Sequence, residues 1–179
     1  MRTIAIVFAT SWLALADIAG ARAAQAPPSG ASQSPDTQVL GWMSPAMATQ
    51  VRTAALPVLV PKDQNVLQRA RLIVEPRFYA LSSKLEGATL SVHGTAVAHP
   101  APAIPIQPKP ASTVRGRPAF LSDNEGIKSI TWTENGVSYV VDVECARADD
   151  QRCKSHEYVL AVSGSSTYVG GAVKPAPQR

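Results

Sequence analysis

Residues 127–134 and 137–145 are rich in β-branched and aromatic side chains, and Asn135-Gly136 joins them. That dipeptide best accepts the two positive φ angles of a type I′ turn. A two-residue turn fixes the pairing on either side of it. Trp132 then faces Tyr139, Ile130 faces Val141 and Lys128 faces Val143, a largely apolar set. The other side of the ribbon pairs Thr133 with Ser138, Thr131 with Val140 and Ser129 with Asp142, which suits water. A one-residue slip would turn the polar set inward, so turn and pattern demand one register. Ile130, Trp132, Tyr139 and Val141 are the expected core of this hairpin.

Further strands surround it. Ala119, Phe120 and Leu121 form a short run before the turn signal Asp123, Asn124, Glu125, Gly126. Residues 78–84 and 88–96 flank Leu85, Glu86 and Gly87 as a second hairpin, and Arg71, Leu72, Ile73, Val74 and Glu75 make a strand stopped by Pro76. Residues 155–169 read two ways. Tyr158, Val159, Leu160, Ala161 and Val162 suit a buried strand, but Ser155 as a cap, Glu157 in the first turn and Tyr158, Ala161 and Val162 on one face favour a helix, the reading taken. The expected fold class is α+β, mainly β: a curved antiparallel sheet of about six strands with one or two helices packed on it.

The N-terminus sets Arg2 before an apolar run closed by Asp17, followed by the small-residue pattern Ala21-Arg22-Ala23. This is the form of a cleavable secretory signal, residues 1–23. The run is short of the roughly 20 apolar residues that cross a bilayer, and no cysteine accompanies it, so neither a membrane span nor a lipid anchor is expected. Cleavage at the alternative pattern ending at Ala26 would leave Pro27 first, a poor fit to a peptidase. Residues 24–54, rich in Ala, Pro, Ser and Gln, read as a disordered or weakly helical tether, with a brief, weakly capped helix between Pro45 and Leu56. Residues 55–171 form one globular domain, interrupted by a proline-rich crossover loop over 100–110 where proline withholds the amide that strands and helices need. Residues 172–179 are a frayed tail.

Export gives the cysteines a meaning. Cys145 and Cys153 are the chain's two cysteines; in an oxidising compartment a close pair around a polar segment is expected to form a disulfide. Their spacing is not C-x-x-C, and no second ligand pair suggests metal or redox chemistry.

Other candidate chemistry is sparse. The formal net charge is +4 with the cations scattered, which argues against nucleic-acid binding. His93, His99 and His156 lie at no ligand spacing, so no metal or cofactor is expected. Neither G-x-S-x-G nor serine followed three later by lysine is present, and Ser163, Ser165 and Ser166 read as a turn. Asp142 and Glu144 are carboxylates on the hairpin's polar side, the ordinary place for solvated acids. Arg115 and Arg117 around Gly116 are the one candidate anion site, two guanidinium groups able to receive a carboxylate or phosphate; a charged strand edge is the plainer account.

Leu56-Pro-Val-Leu-Val-Pro61, the strand Arg71-Leu-Ile-Val-Glu75, Arg115-Gly-Arg-Pro-Ala-Phe120 and Trp132-Thr-Glu-Asn-Gly-Val-Ser-Tyr139 together resemble a group of uncharacterised exported proteins of Gram-negative bacteria, over roughly residues 56–171. The Trp-turn-Tyr hairpin is also similar to small sheet-and-helix domains of envelope regulators and periplasmic lipoprotein carriers. These likenesses imply a periplasmic or secreted protein. The expected function is a non-catalytic binding or interaction module for an unknown protein or small ligand of the envelope. A carrier of a hydrophobic ligand, held between sheet and helix, is the alternative, and a hydrolase with a dispersed site the second. An empty apolar pocket would point to the carrier, converging polar groups in a cleft to the enzyme, and a filled core with an exposed apolar patch to the interaction module.

Overall fold

The structure, a computed structural model, describes residues 34–96 and 109–172. The leader over 1–23, the first part of the tether, the proline-rich loop up to 108 with His99, and the tail from 173 lie outside the described residues.

The chain is α+β and mainly β. Its elements run α1 (Thr37–Leu40), α2 (Pro45–Thr53), β1 (Val58–Val60), α3 (Gln64–Gln68), β2 (Ala70–Glu75), β3 (Phe78–Leu85), β4 (Ala88–Thr95), β5 (Ser112–Val114), β6 (Arg117–Asn124), β7 (Ile127–Glu134), β8 (Val137–Cys145), α4 (Gln151–Lys154), α5 (Glu157–Ser165) and β9 (Thr167–Gly170). An open antiparallel sheet of seven strands, ordered β2-β3-β4-β8-β7-β6-β5, carries a small second sheet of β1 and β9. The β7–β8 ladder sets Trp132 against Tyr139, Ile130 against Val141 and Lys128 against Val143.

Three successive hairpins use one device. Arg115-Gly116, Glu125-Gly126 and Asn135-Gly136 all have positive φ at both residues, as a type I′ turn requires, and this twist matches that of the flanking strands. The sheet therefore gains β5, a seventh strand only three residues long that the short apolar content of residues 112–114 does not announce.

One face of the large sheet holds the core. Leu72, Tyr79, Leu81, Leu90, Val92, Tyr139, Val141, Val143, Ile130, Trp132, Ala119 and Val114 are all buried there. The small sheet and the helices cover them, α2 reaching β2 and β9, α3 reaching β3, and α5 reaching β5, β7 and β8.

Three expectations need correction. Residues 34–54 are not a tether: Val39, Met43, Met47 and Val51 are buried in the core. Nor is α2 weakly capped, since Pro45 occupies its first turn and the Ser44 hydroxyl accepts the Met47 amide at 3.3 Å; a Ser-Pro start satisfies one open amide and presets φ. The helix expected over 155–169 stops at Ser165, and Thr167–Gly170 becomes a strand along β1. The side chains of Ser163 and Ser166 fold back onto the carbonyls of Val159 and Val162, and the chain leaves the helix extended at Ser166, with φ −62° and ψ 140°.

Candidate functional site

Cys145 and Cys153 form the disulfide, with Cα atoms 6.2 Å apart. The bridge clips α4 to the end of β8, and closing so short a loop contributes about 2.5 kcal/mol by chain entropy. Asp150 caps α4 and grips Arg152 with both oxygens, and Arg152 Nη2 also donates to the carbonyl of Glu86 at 2.5 Å. The β3–β4 turn is thereby tied to the disulfide loop. That grip holds the Asp150 carboxyl down to about 2, the Arg152 side chain acting first and its amide second.

Of the anticipated anion site at Arg115 and Arg117, one guanidinium is already engaged. Arg115 sits in the β5–β6 turn and its guanidinium already has an anion. Its Nε donates to Glu134 Oε2 at 2.8 Å, Nη2 to Glu134 Oε1 at 3.3 Å, and Nη1 to the carbonyl of Ser166 at 2.6 Å. Glu134 is only 7% exposed. The pair fastens the β5–β6 turn to the end of β7 and to the α5–β9 junction, while Arg117 opens β6, half-buried and opposite Val114. A bidentate pair so shielded is costly to break and has little left for a visitor.

Ile130, Trp132, Tyr139 and Val141 lie in the filled core, where the Trp132 and Tyr139 rings stack with centroids 5.4 Å apart. Two phenols reach beyond the large sheet to β1 and the residue before it. Tyr79 Oη accepts the Leu59 amide at 3.1 Å and donates to the Leu59 carbonyl at 2.8 Å, and Tyr139 Oη donates to the Pro57 carbonyl at 3.0 Å. Burial pushes both phenols well above their ordinary pKa, so they remain neutral donors. These contacts went unread in the sequence, because the target carbonyls are distant along the chain.

The titratable residues weighed as catalysts are dispersed. His93 lies 3.7 Å from Asp142 across the β4–β8 pair, Glu144 is exposed, and His156 Nε2 meets the Ser122 carbonyl at 2.9 Å. Among the described residues no three metal-capable side chains converge, and no helix is long and apolar enough to cross a membrane.

What stands out is the opposite side of the seven-stranded sheet. No described residue pointing to that side is buried. Cross-strand partners align there in a row, Ile73, Ala80, His93, Val140, Thr131 and Phe120. Beside it Ser82, Ser91, Asp142, Ser129 and Ser122 form a polar row. Three large apolar side chains are exposed in the described structure, Ile73 at 57%, Phe78 at 43% and Phe120 at 38%, and all three belong to this face. Period-two alternation puts hydroxyls and single hydrophobes where water or a partner must meet them. No protein-family model, no curated protein and no solved structure matches this chain.

Proposed function

We propose that the chain is an exported, non-catalytic interaction module that receives a protein partner on the open face of its large sheet. The observation that carries this reading is the asymmetry of the two faces: one is filled by packed aromatic and aliphatic side chains, the other exposes Ile73, Phe78 and Phe120 among serines and threonines. A small ligand needs a concavity that encloses most of its surface. An open sheet face lined by short hydroxyl side chains and a few hydrophobes suits a macromolecular surface instead. Export is supported by the Arg2-led apolar leader with its Ala21-Arg22-Ala23 motif and by the disulfide.

The test is expression with the leader in a Gram-negative host, recovery from the periplasm and native mass spectrometry. The reading expects a shortened, disulfide-bonded chain carrying a stoichiometric protein partner that is lost on Phe120→Glu or Thr131→Arg. A lipid or other small molecule retained through both substitutions would overturn the docking face, and recovery from the cytosol with both thiols free would overturn export.

A further inference from the structure

We propose that β2 is a self-association edge: two copies of the chain pair antiparallel through Arg71–Glu75 about a two-fold axis at Ile73, joining their sheets into one.

β2 is a terminal strand of the large sheet, bonded to β3 on one side alone. The direction of its open backbone groups follows from its neighbour. The Arg77 carbonyl accepts the Ala96 amide at 2.9 Å, so the odd-numbered residues of β3 bond toward β4 and Phe78, Ala80 and Ser82 bond toward β2. Their partners there are Glu75, Ile73 and Arg71. The amides and carbonyls of Ala70, Leu72 and Val74 therefore point away from the sheet, and among the described residues no hydrogen bond outside the ladder engages them. Natural edges are usually blunted by brevity, charged side chains, proline or a bulge; the charges of β2, Arg71 and Glu75, are of opposite sign. The other edge, β5, is three residues long, whereas β2 runs six with an unbroken register and proline only after its end.

The sequence of this edge is complementary to itself. Pairing about Ile73 sets Leu72 opposite Val74 of the second copy, where the outward amides and carbonyls exchange hydrogen bonds. It sets Arg71 opposite Glu75 of the second copy, Glu75 opposite Arg71, and Ile73 opposite Ile73. These last pairs occupy the non-hydrogen-bonded sites, where cross-strand side chains approach most closely. Arg71, Ile73 and Glu75 are all exposed on the open face. Other registers are worse: sliding by two residues one way sets Arg71 against Arg77, and the other way sets Ile73 against Arg71 and leaves Glu75 facing Arg69, which caps α3 outside the strand. A two-fold axis thus brings two opposite-charge pairs around one apolar contact, the isologous arrangement of a closed dimer. The inference does not rest on a partner for the open face, since pairing leaves the central rows uncovered and places Phe120 at both far ends.

Sedimentation velocity over a wide concentration range tests it. Wild type is expected to dimerise on concentration, and Arg71→Glu and Glu75→Arg should each weaken dimerisation about tenfold or more. An equimolar mixture of the two variants should form the heterodimer, and the double exchange in one chain should restore the homodimer. Both positions are exposed, and circular dichroism checks that the variants fold. Hydrogen exchange on wild type needs no variant: the Leu72 and Val74 amides should slow as concentration rises. A chain monomeric at every concentration, a dimer indifferent to both reversals, or unchanged exchange at those amides would each overturn the proposal.

Discussion

The phenol of Tyr79 stands in for a neighbouring strand to Leu59. One oxygen takes the Leu59 amide and gives its own proton to the Leu59 carbonyl, so a single side chain satisfies both backbone groups of a buried residue that β9 flanks from the other direction. β1 is only three residues long, too short to be held by ladder bonds alone. The large sheet thus holds the small one through side chains rather than through strand pairing.

Removal of that oxygen leaves two buried backbone groups unpaired. Tyr79→Phe should lower unfolding free energy by about 2–4 kcal/mol, whereas Tyr139→Phe, which strands the Pro57 carbonyl alone, should cost about 1–2 kcal/mol. Urea denaturation of the two variants makes the comparison. Equal losses would mean that the Leu59 amide finds another acceptor.

Gly94 lies between these tyrosines on the buried face, paired with both Tyr79 and Tyr139. A Cβ there would stand 2.2 Å from Tyr79 Cε1. The ring has no retreat, because its hydroxyl is tied to Leu59. Gly94→Ala should therefore destabilise by about 2–3 kcal/mol, an overpacking cost. A thermal melt unchanged from wild type would show that the ring can move aside without losing Leu59.

The hairpin of β7 and β8 was legible because asparagine enters the left-handed region readily, so Asn135-Gly136 named both the turn and the register. Glu125-Gly126, within the turn signal of residues 123–126, and Arg115-Gly116 repeat the device at equal intervals along the chain, but arginine seldom takes positive φ. Arg115-Gly116-Arg117 accordingly read as charge, when its first two residues make a turn whose arginine reaches inward. The interval itself was the missed signal. Alternation placed Tyr79 and Tyr139 on one face, yet nothing local points a phenol at Leu59 or Pro57. Residues 44–53 carried their Ser-Pro start openly; the short stretch gave too narrow an apolar stripe to suggest burial. The open face was legible as polar alternation, and its three exposed hydrophobes acquired meaning only when the ladders placed them on one face.

Glu134 is where that inward arginine can be tested. Glu134→Ala leaves Arg115 shielded from water without its carboxylate, and should cost about 3 kcal/mol. Replacing both partners, Arg115→Met with Glu134→Leu, should cost less than the two single changes together, since neither charge is then stranded. Chemical denaturation of the four proteins yields the coupling. Strict additivity would mean that the pair is not the fastening between the β5–β6 turn and β7.

Acid should weaken the grip at the disulfide end of the domain. Asp150 has its carboxyl lowered from 3.8 to about 2 by Arg152, so the folded chain holds it ionised more tightly than the unfolded chain does. A depressed acid contributes stability that is complete above about pH 4 and is lost as pH falls toward 2. Asp36, Asp123 and Asp149 are lowered as well, by the Val39 amide, Lys128 and Arg147 respectively, and add to the same slope. Asp150→Asn still caps α4 but has no charge to lose. At neutral pH it should be less stable than wild type, and the gap should close between pH 4 and pH 2, where the wild-type carboxyl becomes protonated too. Denaturant midpoints measured across that interval decide the matter: a gap of constant size from neutral pH to pH 2 would mean that the Asp150–Arg152 contact contributes through shape alone.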